Sequence, residues 1–452
     1  MFENIIEQGA VLQLRDDILH HRNAPSMLFI GPSDSGKGST AMELARTLSC
    51  ESDAGWKCSC PSCALHRYLR HGDLLILGNR RFSAEIAACQ SAFLRNPSNN
   101  GAKLVFFRSL RKLMLRFSPV LMEDDQKLIK SASVLLSLDE KLDDLWANSN
   151  VFDFAALKKL CNSLVKDALV LENEGLSAMI PIGQIRSASW WCRLAPNGKR
   201  KTLIIENAEN MRNEAHNSLL KLLEEPPASV NIVLTAQRRE AIMPTILSRL
   251  RPYRFLKRSE ESEIEIIRRV FQDTIDDKSL KAGGSLLSAY LESFIQGSGE
   301  NLYPLAALFI VSLARIVSRS EKKGGENKFP VILNALADNL AGSLAAAANA
   351  SGPDKNSKSA DIIKTIISQS GNFENDSFSR YMKICLEIVC DFLRTGGDPG
   401  YIALNNIFKK YINETVMAVD VLNIGTAIAL ESLFHNLKTA MIRGLPSKVL
   451  YG

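Results

Sequence analysis

Apolar residues fall along this chain in two periods. Short unbroken runs read as buried strands at Met27 to Ile30, Asp73 to Leu77, Thr202 to Ile205 and Val230 to Thr235. Elsewhere the spacing is helical. Residues 9 to 22 carry Val11, Leu12, Leu14, Ile18 and Leu19 on one stripe. Residues 80 to 178 repeat the pattern three times, at Leu104, Phe107, Leu110, Met114 and Phe117, at Leu135, Leu136 and Leu138, and at Leu157, Leu160 and Leu164. NSLLKLLEEPP places Leu219, Leu220, Leu222 and Leu223 on a helix that Pro226 and Pro227 stop. From Ser259 onward every apolar stretch is helical: Ile264 to Phe271, Leu286 to Phe294, then 303–318, 328–349, 361–369, 378–394 and 402–445. The charged, Gly-containing loop Ser320 to Lys328 and the small-polar run Asn349 to Ala360 interrupt that series.

The strand at Met27 leads into GPSDSGKGSTAMELARTL, where Gly31 to Lys37 fits the phosphate-loop spacing G-x-x-x-x-G-K. Its glycines, Gly31 and Gly36, let backbone N–H groups face phosphate, the following helix offers its positive end, and Lys37 reaches the terminal phosphates. Gly38 then stands where an active loop has the Ser or Thr whose hydroxyl binds Mg²⁺, with Ser39 and Thr40 displaced to other faces. Glu206 ends the Thr202 strand, the place where a P-loop protein holds the metal that travels with ATP.

Four of the nine cysteines, Cys50, Cys58, Cys60 and Cys63, crowd into one short segment. Four thiolates satisfy the closed tetrahedral coordination of structural zinc, although Cys58 and Cys60 are closer in sequence than a usual chelating pair. Free thiols around a three-ligand site are the alternative. His66 is read either as a substitute ligand or as a surface histidine. The other cysteines sit among apolar residues, which fits a reducing compartment rather than a disulfide framework. Composition changes little else. The 452 residues allow about three domains. A net charge of +6 is too dispersed to argue for nucleic acid. With no run of 18 uncharged apolar residues and acids rather than bases near the start, neither a membrane helix nor a secretory signal is expected, and the cytoplasm is the default. Lys103, Arg108, Arg111, Lys112 and Arg116 make one helix basic and read as a solvated face. Trp190 and Trp191 read as packing residues.

Taken together, Glu206, NSLLKLLEEPP, the Val230 strand and SRL around Arg249 resemble the AAA+ ATPase module of bacterial DNA polymerase III clamp-loader subunits, of which the delta-prime and gamma/tau types are the nearest forms. The resemblance implies an α/β P-loop core, a parallel sheet flanked by helices, over residues 1–256, with a zinc module at about 50–66. It breaks off over about 80–178, read as a helical insertion, and resumes at Gln184, Ile185 and Arg186. An all-α lid over 257–300 and an all-α collar over 301–452 would follow. It further implies that Thr235 occupies the γ-phosphate sensor position, that Gly31, Gly36, Lys37, Gly38, Ser39 and Glu206 surround the nucleotide, and that Arg249 is an arginine finger acting in a neighbouring subunit. A strand-terminal Thr and a surface Arg are the plain alternatives, and Leu250 replaces the family's Cys.

Asn207 stands where hydrolysing AAA+ proteins carry the carboxylate that activates water, and an amide cannot accept that proton. With Gly38, this points to a subunit of the delta-prime type: a non-hydrolysing stator that helps load the sliding clamp on primer-template DNA beside gamma/tau and delta subunits in a hetero-pentamer. The alternative is an ATP-hydrolysing motor of the gamma/tau type with unusual substitutions. Cofactors implied are structural Zn²⁺ and, if nucleotide binds, ATP with Mg²⁺.

Overall fold

The computed structural model describes residues 1–122, 129–149, 152–177, 179–273, 285–294, 302–319, 329–346, 359–369, 375–393, 399–420 and 424–443. The chain divides into two compact units, Met1–Ile295 and Gln296–Gly452.

The first unit is built on a five-stranded sheet in the order β2-β3-β4-β1-β5. Its strands are β1 (Ser26–Ile30), β2 (Leu74–Leu77), β3 (Lys201–Ile205), β4 (Val230–Ala236) and β5 (Arg251–Arg254), and every pairing is parallel. Parallel strands need helical crossovers, which cover both faces, so the central strands read as continuous apolar runs. Side-chain alternation then divides each run between two cores. Leu28, Leu75, Leu77, Leu203, Ile205, Ile232 and Leu234 face one side, where helices Ser83–Arg95, Asn100–Met114, Ile182–Arg193 and Asn213–Glu224 pack. Met27, Phe29, Leu74, Ile76, Ile204 and Val233 face the other, against helices Gly9–Leu19 and Lys37–Ser49.

β5 was not foreseen. RPYR has no apolar run, because an edge strand beside β1 needs to bury only Tyr253, and Pro252 is tolerated at such an edge. The basic helix is a correction. Among its cations Lys103 and Arg116 are buried and Arg111 is mostly so, each turned inward instead of toward water. Lys103 Nζ donates to Trp146 O at 2.6 Å and Arg111 Nη2 pairs with Asp139 at 2.6 Å. Arg108 donates to the Arg67 carbonyl. The acidic partners come from elsewhere in the chain, Asp139 and Asp143 of helix Ala132–Asn148 for Arg111, Glu85 of helix Ser83–Arg95 for Lys112 and Glu206 for Arg116, and they neutralise charge that the sequence shows without company. Of the tryptophans, Trp191 is buried beneath Lys201, whereas Trp190 is 56% exposed and packs little.

Among its described residues the second unit has only helices as regular elements: Leu302–Arg319, Phe329–Ala346, Ser359–Gln369, Asn375–Leu393, Pro399–Asp420 and Thr426–Arg443. Leu302–Arg319 is long and apolar enough to cross a membrane, but most of it is buried in this unit's own core. Phe309 meets Phe434 edge-on at 5.4 Å, and Tyr381 donates to Leu305 O at 3.2 Å.

Candidate functional site

The phosphate loop follows β1. Gly36, at φ +92°, adopts a left-handed conformation open to glycine and starts helix Lys37–Ser49. Lys37 is folded back on its own loop, donating to Gly31 O at 2.6 Å and Pro32 O at 2.5 Å. Burial lowers its pKa to about 8, against the pull of Glu209 and Asp34. In front of the loop lies a cavity of about 580 Å³ bordered by Gly36, Lys37, Gly38, Ser39, Glu206 and Thr235. Apolar residues also line it: Ile5 and Ile6 near the N-terminus, the former close to Gly36, and Val270, Leu287 and Leu291. A slot lined by phosphate-loop backbone, cations and aliphatic groups suits a nucleotide.

At and behind the cavity wall lie residues that the sequence does not mark. Glu206, at the end of β3, forms a buried ion pair with Arg116 from the turn Leu115–Phe117. The Arg116 guanidinium lies over the Phe82 ring at 4.7 Å and donates to Lys112 O at 2.5 Å. Burial works against ionisation of Glu206, yet Arg116 and Arg80 hold its carboxyl below the usual carboxylate range. Beside it Glu85 accepts from Arg80 at 2.8 Å and pairs with Lys112; despite burial these cations hold Glu85 at about 2. Residues 80 and 116 are far from 206 in sequence, and no local motif marks such a pairing.

These residues do not fit a divalent cation at Glu206. Mg²⁺ needs near-octahedral oxygen ligands at about 2.0–2.1 Å and retains several waters. Position 38 offers no hydroxyl, and a Cβ added to Gly38 would lie 2.7 Å from Glu206 Oε1. The other oxygen of Glu206 already accepts from Arg116. Asn207, in the left-handed region at φ +51°, donates its backbone N–H to Thr235 Oγ1 at 3.2 Å. Thr235 and residue 207 are thus brought together at the cavity edge.

Arg258, also unforeseen, clasps the loop from the segment after β5. It donates to Asp34 O at 3.1 Å, Ile6 O at 2.5 Å and Ser35 O at 3.3 Å. Across the cavity, Ser288 Oγ donates to Asp34 Oδ2 at 2.5 Å.

The four cysteines form a separate site. Their Sγ atoms all lie within 4.8 Å of one another, and Cys50 Sγ is 3.6 Å from Cys58 Sγ and 3.9 Å from Cys60 Sγ. Thiolates bound at about 2.3 Å to a tetrahedral zinc stand about 3.8 Å apart, so the set fits that ion. Pro61 opens helix Pro61–Arg67 and brings the Cys63 N–H to Cys60 Sγ at 3.4 Å, while Ala54 N–H donates to Cys50 Sγ at 3.2 Å. Arg46 donates to Cys63 Sγ at 3.0 Å and grips Glu43 with two bonds, at 2.9 and 2.7 Å. His66 is not at the surface. It is 3% exposed, stacked on His71 at 4.1 Å, and outside the four-sulfur group. Burial lowers its pKa to about 3, with His71 adding to the effect, so it is a neutral packing ring.

Arg249 lies away from the cavity. It is fixed between the short helix Pro244–Leu247 and β5, donating to Thr245 O at 2.6 Å and Glu224 Oε1 at 2.8 Å. Its side chain is 33% exposed and Glu224 49%, so solvent screens the pair.

Comparison with known proteins adds three findings. The profile of a family described as DNA polymerase III, delta subunit, matches residues 6–118 and 139–259, more than half of the chain. The matched blocks extend into the segment expected to be an insertion and leave 119–138 between them. Over 84 residues the chain is 37% identical to the DNA polymerase III subunit delta′ of Pseudomonas aeruginosa, a match covering 18% of this chain and 26% of that protein. The chain thus aligns with about a quarter of that relative's length. A solved DNA polymerase III gamma subunit-related protein from Thermotoga maritima aligns over 59% of this chain and 81% of its own, with 17% identity and a TM-score of 0.27.

Proposed function

This chain belongs to the DNA polymerase III clamp-loader family, and we propose that it serves there as a delta-prime-like stator: a subunit that does not hydrolyse ATP, supplies Arg249 to a neighbouring motor, and helps place the sliding clamp on primed DNA. Its partners are then gamma/tau and delta subunits of a hetero-pentamer. On this reading residues 1–256 form the AAA+ core, 257–300 the lid over the nucleotide cavity, and 301–452 the collar through which subunits join. Cys50, Cys58, Cys60 and Cys63 hold a zinc ion that ties the loop before helix Pro61–Arg67 to helix Lys37–Ser49 and has no role in chemistry, since all four coordination positions are taken by sulfur.

The observation that carries this reading is the contrast between the two sites. The cavity has no hydroxyl at position 38, an amide at 207 and a Glu206 already engaged by Arg116, which removes the groups that would hold metal and activate water. Arg249, by contrast, sits at the surface in a pair that solvent can open. A guanidinium so placed can enter a neighbour's ATP site and stabilise transition-state charge.

The test is the DNA- and clamp-stimulated ATPase of the complex reconstituted with gamma/tau and delta subunits. Loss of activity with Arg249→Ala but not with Lys37→Ala is the expected result. Loss with Lys37→Ala, together with ATPase activity of this chain alone, would identify a gamma/tau-type motor instead.

A further inference from the structure

We infer that Arg116, bonded to Glu206 from behind the cavity wall, takes over the charge-neutralising role of a divalent cation there, so that the cavity takes a nucleoside triphosphate without metal. The inference rests on the reading of the cavity as a nucleotide site and specifies how that site meets the phosphate charge.

In an ordinary phosphate loop the strand-end acid and the loop hydroxyl meet a triphosphate through Mg²⁺. The metal neutralises the acid and prevents it from repelling the phosphates. Here Glu206 needs a different cation, because it lines the same cavity as Lys37 and the loop. Arg116 supplies that charge permanently. Its side chain is 2% exposed, it faces the Phe82 ring, and it is anchored on Lys112 O as well as on Glu206. A ligand metal would meet Glu206 at Oε1 alone, beside the bare backbone of Gly38, because Oε2 is held by the buried Arg116.

Remaining charge favours an anion. Glu85 is shared between Arg80 and Lys112. Arg80 is 36% exposed and lines the cavity together with Lys37. With the amide groups at the start of helix Lys37–Ser49, these two cations border the volume that a phosphate chain would fill, and Lys37 would reach it by leaving the loop carbonyls. The Glu206–Arg116 pair beneath them is neutral as a unit. The aliphatic residues Ile5, Ile6 and Leu287, which also line the cavity, offer the base apolar contact.

The experiment uses the purified full chain and a fluorescent N-methylanthraniloyl ATP, titrated once with excess EDTA and once with excess Mg²⁺. Wild type is expected to bind with dissociation constants within about twofold of each other in the two buffers. Arg116→Gln, which removes the cation bonded to Glu206, should bind at least about tenfold more weakly in EDTA and recover in Mg²⁺, whereas Arg116→Lys should stay metal-independent. Wild-type binding that needs Mg²⁺ by about tenfold or more would overturn the inference while leaving the nucleotide site standing. No binding in either buffer would overturn both. Equal, metal-independent binding by wild type and Arg116→Gln would remove Arg116 from the role, and the wild-type comparison decides the metal question even if the Gln variant fails to fold.

Discussion

Arg249 and Glu224 meet at 2.8 Å on the surface of the first unit, joining the Ser-Arg pair to the end of the leucine-rich helix Asn213–Glu224. Exposed pairs of this kind contribute about 0–1 kcal/mol, since both ions keep much of their hydration. Arg249→Ala should therefore shift the urea unfolding free energy of the isolated chain by less than about 1 kcal/mol. A loss above about 2 kcal/mol would make Arg249 a structural residue, fixed too firmly to serve a neighbour.

The cysteine site should depend on a residue that carries no sulfur. Arg46 and Glu43 are both nearly buried and Arg46 also touches Cys63. Arg46→Met leaves Glu43 as an unpaired buried charge, with an expected cost of about 3–5 kcal/mol in urea unfolding. Loss of the bond to the thiolate should weaken zinc about 10–100-fold in competition with a chromophoric chelator. Cys60→Ser and Cys63→Ser should each lower bound zinc directly. Unchanged metal content in both would exclude the four-thiolate site.

Restoring the missing hydroxyl should not restore a motor. Gly38→Ser puts a Cβ 2.7 Å from Glu206 Oε1, and Glu206 cannot swing away while Arg116 holds it. We expect a loss of about 1–3 kcal/mol, the usual range for an overfilled interior, and no Mg²⁺-dependent ATPase. Thermal denaturation and phosphate release by the isolated variant check the two halves. Hydrolysis gained from this substitution alone would contradict the account of the metal position.

The Lys37 ammonium gives the cavity a pH dependence of definite sign. Its folded pKa is about 8, below the ordinary lysine value, so between those two pH values the unfolded chain binds more protons. Stability gained from this group therefore increases as pH rises across that window. Nucleotide affinity should move the opposite way. Phosphate prefers the charged amine, so binding should be flat below about pH 7 and weaken through about pH 8, by at most about tenfold per unit. Affinity unchanged up to pH 10 would show that Lys37 does not touch the phosphates.

What was legible in the sequence follows from how far apart the interacting residues are. β1, β3 and β4 could be read because burial on both faces leaves runs such as MLFI and TLII. The phosphate loop and the cysteines declare themselves within a few residues. The Arg116–Glu206 pair spans 90 positions, and Arg258 reaches back 252 positions to Ile6 O. Neither separation leaves a periodic trace. The inward turn of the basic helix was hidden for the same reason, since Asp139 and Asp143 arrive from another helix. His66 was misread because helical spacing alone does not say that His71 will stack on it.

The ion pair at Glu206 also bears on how such a subunit changes over generations. Replacing Arg116 alone strands a buried carboxylate, replacing Glu206 alone strands a buried guanidinium, and enlarging Gly38 alone forces atoms together. Each single step toward a metal-binding loop is penalised before its companions can make it useful. Selection acting one substitution at a time would meet this arrangement as a trap that no single change escapes without loss.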